Sequence, residues 1–265
     1  MTALAKIRKI GLYRRDSHQD YGLEEIRGLF AATQIELVED AHDGETSGLD
    51  VVLAMGGDGT VLRAMSAYAG TPVLAVNYGS VGFLTQADKD GLPDCLLKLV
   101  SGKGKIEERL TLSVTHRGAA YRAINEIVIK ATTNMIAVKI SVDGRSVHRA
   151  RGDGVIVGTP TGSTAYLMST GAPIVVPDVD CMIIKPLNEY SISSRSLIVG
   201  GSSRVTLDIE PDREDEIGLA VDGGDRVRVD IGDSIVIERS TVPARLVYFK
   251  DDYFFRNLRE RLGFG

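Results

Sequence analysis

The texture of the chain changes once, near Gly102-Lys103-Gly104, and this change limits the possible folds more than any single motif does. Before it, short apolar runs alternate with stretches of helical spacing. Ile10-Gly11-Leu12-Tyr13 is followed by Leu23, Ile26, Leu29 and Phe30, then by an apolar run at 35–38. Val51-Val52-Leu53-Ala54-Met55 precedes a helical pattern through Val61, Leu62, Met65 and Tyr68, which leads to a run at 72–76. Strands flanked by helices at this rhythm predict a parallel sheet covered on both faces. Leu92, Leu96, Leu97 and Val100 predict one more helix, which the glycines end.

After the change, strand-like segments at 110–115, 121–129, 136–142, 205–209, 226–231 and 235–237 predict a β-rich second lobe. Asp143-Gly144, Asp222-Gly223-Gly224-Asp225 and Gly232-Asp233 lie between such runs and read as hairpin turns, where glycine supplies positive backbone angles. The tail reads as a strand, Leu246-Val247-Tyr248-Phe249, and a charged helical segment reaching Leu262. A length of 265 residues fits two lobes of this kind.

Composition narrows the function. With 43% hydrophobic and 25% charged residues the chain is ordinary globular protein, not a disordered or fibrous one. A net charge of −5 provides no basic field for a nucleic acid or an anionic membrane, so neither is an expected partner and any bound anion must be held locally. Its apolar runs are too short to cross a bilayer, and the first ten residues lack the pattern of a secretion signal, so a cytoplasmic location is expected. Cys95 and Cys181, each among aliphatic residues, read as reduced core thiols. His18, His42, His116 and His148 show no metal-ligand spacing, so no protein metal site is expected.

Gly56-Gly57-Asp58-Gly59-Thr60 joins an apolar strand to a helical pattern, which puts it at a strand's carboxyl end, where α/β sheets bind ligands. A turn without side chains lets backbone N–H groups and a helix amino terminus approach a phosphate, making Gly56, Gly57, Gly59 and Thr60 candidate phosphate contacts. Asp58 beside them suits either of two tasks, taking a proton from an attacking hydroxyl or joining a divalent cation on a triphosphate. The plainer alternative is a Gly-Asp turn with Thr60 as helix cap. Neither a P-loop nor a complete Gly-x-Gly-x-x-Gly fingerprint is present.

From Arg151 to Gly171, small polar residues surround one aliphatic triplet, 155–157, which reads as a short buried strand. The hydroxyl-rich turn after it has many donors for a polar ligand. Earlier, Asn125-Glu126 interrupts a strand-like run; by strict alternation one of the two faces each side, so half of the pair reads as ordinary solvent-facing polarity.

The combination of Gly-Gly-Asp-Gly-Thr at 56–60, Asn-Glu at 125 and 126, Asp-Gly at 153 and 154 and Thr-Pro-Thr-Gly-Ser-Thr-Ala-Tyr at 159–166 resembles the NAD kinase family across nearly the whole chain. The first motif is shared with diacylglycerol kinases and is close to that of phosphofructokinases; the last is much more specific. The resemblance implies an α/β phosphate-binding domain at 1–104, with 246–265 packing back on it, and a β-rich dinucleotide-binding domain at 105–245. It implies phosphorylation of the adenosine 2′-hydroxyl of NAD by ATP, with Mg²⁺ carried in on the donor, and a homodimer or homotetramer.

Under that resemblance Asp58 is the catalytic aspartate, with Gly59 beside it, and Asn125 and Glu126 hydrogen-bond the dinucleotide. Asp153 and Ala165 contact the nicotinamide end, Thr161 and Thr164 the adenine end, and Tyr166 and Ser169 the riboses. Phe83 resembles an aromatic residue near adenine, and Arg151 joins the NAD-binding set. Four positions depart from the usual pattern and bear on donor choice and on NAD against NADH: Ser80, Gly158, Val176 and Gly224. Two competing readings are a lipid or sphingoid kinase sharing the first motif, and an NAD-binding sensor without chemistry, in which Asp58 would be dispensable.

Overall fold

The computed structural model describes residues 2–3, 6–14, 21–31, 33–39, 41, 46–78, 82–191, 194–212, 216–249 and 253–263. His18, His42 and Ser80 lie outside the described residues. The chain divides into two units, Met1–Arg109 with Pro243–Gly265, and Leu110–Val242.

The first unit contains β1 (Thr2–Ala3), β2 (Lys9–Arg14), α1 (Leu23–Ala31), β3 (Glu36–Val38), β4 (Val51–Met55), α2 (Asp58–Ala67), β5 (Val73–Asn77), β6 (Ala87–Asp88), α3 (Leu92–Val100) and β7 (Lys105–Arg109). Strands β3, β2, β4 and β5 pair in parallel in that order, and β6 pairs in parallel with the end of β5. Every residue of β4 and β5 is buried, as strands covered on both faces must be. Val51, Leu53 and Met55 share a core with Ile26 and Phe30 of α1 and Leu92, Leu96 and Leu99 of α3. Alternation turns Val52 and Ala54 to the other face, where α2 packs with Val61, Ala64 and Met65 buried.

The second unit is a β-sandwich. Its elements are β8 (Leu112–His116), β9 (Ala119–Ala123), β10 (Glu126–Ala131), β11 (Ile136–Val142), β12 (Arg145–Gly152), β13 (Gly154–Gly158), a 3₁₀ turn (Thr161–Thr164), α4 (Tyr166–Ser169), β14 (Cys181–Leu187), β15 (Leu197–Gly200), β16 (Val205–Glu210), β17 (Ile217–Val221), β18 (Val227–Val229) and β19 (Ser234–Arg239). One antiparallel sheet runs β15-β14-β13-β10-β17-β18 and the other β12-β11-β16-β19-β8-β9. Ile127, Ile129, Val155, Val157 and Leu219 of the first sheet meet Val114, Val138, Ile140, Leu207 and Ile237 of the second in one core. The chain then re-enters the first unit as β20 (Ala244–Tyr248), parallel to β5 and antiparallel to β7, followed by α5 (Tyr253–Leu262).

Two sequence expectations are corrected. The run 121–129 is not one interrupted strand: β9 ends in one sheet and β10 begins in the other, with Ile124-Asn125 as the crossing. Gly232-Asp233 is not a hairpin turn, because β18 and β19 belong to different sheets. Period-two apolar patterning marks a strand but carries no information about which sheet it joins. Asp143-Gly144 and Asp222-Gly223 do make tight turns, with φ of 50° and 76° and of 48° and 72°. Among the described residues no helix is long and apolar enough to cross a membrane.

Candidate functional site

In the first unit, the chain leaves β4 through Gly56, whose φ of 155° suits glycine and where a Cβ would lie 2.6 Å from the Thr60 hydroxyl. Gly57 is the N-cap of α2 and no side chain caps the helix, so Thr60, buried in the first turn, is not the cap that the plainer reading made it. A Cβ at Gly57 would meet nothing within 4 Å, and one at Gly59 only the Arg63 guanidinium at 3.9 Å. The protein's own packing does not demand glycine at those two positions, although glycine inside a helix costs about 0.5–1 kcal/mol against alanine. Bare backbone at a helix amino terminus is the arrangement that lets an anion approach N–H donors.

Asp58 opens α2 and is held from outside it. Its Oδ2 accepts the Phe83 N–H at 2.7 Å and its Oδ1 the Leu84 N–H at 3.0 Å. The approach is close enough that a Cβ on Gly82 would sit 1.7 Å from Oδ1, so only glycine fits at 82. Each carboxylate oxygen retains a lone pair for another proton. Phe83, half-buried, carries the Arg261 guanidinium 5.1 Å above its ring centre.

In the second unit, Asn125 and Glu126 are both buried, at 8% and 6% exposure, which corrects the expectation that one of them faces solvent. The sheet crossing breaks the alternation on which that expectation rested. Half-buried Asp222 accepts the N–H groups of Ile124 at 2.8 Å, Asn125 at 2.7 Å and Glu126 at 3.1 Å, and so fixes the backbone of the crossing. The side chains are left over: the Asn125 carboxamide bonds no described residue, and Glu126 Oε2 is buried without a partner. Burial first, and the Asp222 charge second, push the Glu126 carboxyl up to about 8. Asp222 is raised as well, by burial first, with the three amide donors and then Arg122 opposing the shift.

The hydroxyl-rich turn is built onto this crossing. Thr159 donates its N–H to Asn125 O at 2.8 Å and its hydroxyl to Ile124 O at 2.6 Å. A Cβ on Gly162 would lie 2.2 Å from Asn125 O, so glycine there lets the two backbones touch. The Ser163 hydroxyl donates to Pro160 O at 2.6 Å and accepts the Val175 N–H at 3.0 Å. Thr159 and Ser163 therefore hold the turn together, and the sequence argument that credited the hydroxyls to a ligand is corrected for these two. Thr161 is buried, Thr164 donates to Thr161 O at 3.3 Å, and Ala165 leads to a half-exposed Tyr166.

Asp153 lies at the crossing from β12 to β13, where Cβ atoms on Gly152 and Gly154 would overlap Leu187 O and Ile129 O at 2.5 and 2.0 Å. Its Oδ2 accepts the Asn188 amide at 2.8 Å. Asn188 in turn lines a cavity of 430 Å³ with Tyr166, Ser169, Lys185 and Glu189. Tyr166 and Ser169 thus share one cavity, which Asp153 reaches only through Asn188. Arg151 does not join them, because Asp212 binds its guanidinium at 2.7 and 3.3 Å. Glu189 is buried, with Oε1 2.5 Å from His148 and Oε2 unpartnered, and it escaped the sequence reading along with Gly82, Asn188 and the structural role of Asp222.

Of the departures from the family pattern, a Cβ on Gly158 would strike Leu167 at 2.4 Å, and the Gly224 N–H closes its turn on Val221 O at 2.8 Å. Nothing in the structure explains Val176. Among the described residues, no three His, Cys, Asp or Glu side chains gather to hold a metal.

An anchored carboxylate beside bare helix-terminal donors is the equipment of an enzyme that moves phosphoryl groups, a kinase. Residues 13–104 match the ATP-NAD kinase N-terminal domain and residues 124–249 the ATP-NAD kinase C-terminal domain. The NAD kinase of Thermobifida fusca is 36% identical over 250 residues, 89% of this chain and 76% of that one; the NAD kinase of Moorella thermoacetica is 37% identical over 222 residues, 81% and 71%. The chain belongs to the NAD kinase family. Among solved structures, an Archaeoglobus fulgidus NAD kinase in complex with ATP is similar at a TM-score of 0.82 and 29% identity, covering 97% of this chain and 99% of that one. Yeast NADH kinase complexed with NADH shares the fold at a TM-score of 0.86 and 23% identity, over 98% and 89%.

Proposed function

We propose that this protein transfers the γ-phosphoryl group of ATP to the 2′-hydroxyl of the adenosine ribose of NAD, giving NADP and ADP. The observation that carries the reading is Asp58, pinned by two backbone amides next to the uncapped amino terminus of α2. As the 2′-oxygen attacks the γ-phosphorus, Asp58 takes its proton, the new P–O bond forms and the bond to the β-phosphate oxygen breaks. Gly57 and Gly59 offer backbone donors to the phosphates, whereas the expected donors Gly56 and Thr60 are corrected: their N–H groups are taken by Val76 O at 2.9 Å and Gly57 O at 2.8 Å. The divalent cation enters as part of the donor, Mg·ATP, where it offsets the triphosphate charge.

We assign Asn125 and Glu126 to the dinucleotide, since a buried amide and a buried carboxyl without side-chain partners among the described residues suit the hydroxyls and edges of a nucleoside. Asp153, Thr161, Thr164, Ala165, Tyr166 and Ser169 follow the family in contacting NAD, with Phe83 near adenine. Arg151 joins them if it exchanges Asp212 for ligand. The buried free thiols of Cys95 and Cys181 suit a reducing cytoplasm. A homodimer or homotetramer, the family's habit, is read directly by light scattering.

The test is an assay with NAD, ATP and Mg²⁺ in which glucose-6-phosphate dehydrogenase reports NADP, run beside an incubation with labelled ATP and diacylglycerol. NADP formation supports the reading. Phosphorylated lipid without NADP overturns it in favour of a lipid kinase.

A further inference from the structure

The loop after β5 is gripped from two sides. Phe83 and Leu84 present their N–H groups to Asp58, and Gly82, Phe83 and Thr85 present their carbonyls to α5. Three residues on α5, each one turn beyond the last, reach it: Tyr253 donates its hydroxyl to Thr85 O, Asn257 donates its amide to Gly82 O and Phe83 O, both at 3.4 Å, and Arg261 covers the Phe83 ring. Asn257 is only 3% exposed, and a buried amide in a helix is costly unless it bonds something.

The grip falls on shared atoms. Gly82 C=O and Phe83 N–H belong to one peptide plane, and Phe83 C=O and Leu84 N–H to the next. A trans peptide points its N–H and C=O in opposite directions. The two planes whose N–H groups hold Asp58 are therefore the two planes whose carbonyls Asn257 straddles. Turning either plane moves the carboxylate, and the amide at the far end resists that turn. Burial, and neighbouring Tyr248 after it, raise the Tyr253 hydroxyl well above its usual range, so it stays protonated as a donor.

We infer that α5 positions the catalytic carboxylate, with Asn257 as the positioning residue that sets Asp58 through the peptide planes 82–83 and 83–84, and Tyr253 as its support one turn earlier. This rests on the reading of Asp58 as the base. The Gly-Gly-Asp-Gly-Thr motif at 56–60 thus extends to the last helix, about 200 residues further on in sequence, and the tail is part of the reaction machinery without touching substrate.

The experiment is a double-mutant cycle on the full chain: wild type, Asp58→Asn, Asn257→Ala and the double variant, each checked by thermal unfolding and assayed for NADP formation and for NAD binding. Asn257→Ala is expected to lower kcat about 10-fold or more, with NAD affinity within about threefold, because a misplaced base slows the chemical step and not binding. In the Asp58→Asn background the same change is expected to cost nothing further, a coupling that a merely structural asparagine would not show. If Asn257→Ala does not fold, Tyr253→Phe takes its place in the cycle under the same criteria. A wild-type kcat for the α5 variant, or an equal loss in both backgrounds, overturns the proposal while Asp58 stands. Full turnover by Asp58→Asn alone overturns the Asp58 reading and this proposal with it.

Discussion

At the scale of single residues, the site depends on contacts that leave no room for a carbon or a charge. Gly82→Ala puts a methyl 1.7 Å from the Asp58 carboxylate oxygen, so either the loop or the aspartate must move. The expected result is a fall in kcat of about 10²-fold, the usual cost of displacing a reacting group by an ångström, measured by steady-state kinetics on the folded variant. Glu126 makes a prediction about pH. Its carboxyl is raised from 4.5 to about 8 in the folded protein. Within that window the unfolded chain releases a proton that the folded protein keeps, so this residue's contribution to stability falls as pH rises, and levels off above it. Glu126→Gln cannot ionise. Its melting temperature should match wild type at the acid end of the window and exceed it at the alkaline end; a constant difference across the range would contradict the assignment. Asp58 stood out as a candidate in the sequence because glycines flank it on both sides, after a strand and before a helix. Gly82 and Asp222 were not, since a lone glycine and an Asp-Gly-Gly turn look ordinary until the chain brings them against Asp58 and the 124–126 backbone.

At the scale of elements, periodicity revealed most strands and helices and hid how they assemble. Strands β4 and β5 read as buried because no polar residue interrupts them until Asn77. The crossings at Ile124-Asn125 and at Gly152-Asp153 were invisible, because a strand changing sheets keeps its alternation until the corner. Strand β12, exposed over most of its length, offered no apolar pattern at all. The corners are also where the candidates Asn125, Glu126 and Asp153 fall, and the sequence reading misjudged what surrounds them. Gly162 tests the corner as an element. An alanine there places its Cβ 2.2 Å from the Asn125 carbonyl, and backbone cannot yield as a side chain can. Gly162→Ala should destabilise the protein by about 1–3 kcal/mol, the range for overpacking, and weaken NAD binding more than it changes kcat. Denaturant melts with NAD titrations check both. Unchanged binding would mean that the turn is scaffolding only.

At the scale of the whole molecule, a chain with net charge −5 handles two phosphate-bearing substrates. General electrostatic attraction cannot hold them, so the proposed function gives that task to local backbone donors and the donor's own cation. Under the proposed function Asp58 is the side chain on which the chemistry turns, and its removal is the most direct test. NADP formation from NAD and Mg·ATP is measured for wild type and Asp58→Asn, with NAD affinity determined in parallel. The account predicts steady turnover in wild type, and in the variant a loss of at least ~10²-fold with NAD affinity changed by no more than a few-fold. Equal turnover in the two proteins would contradict it.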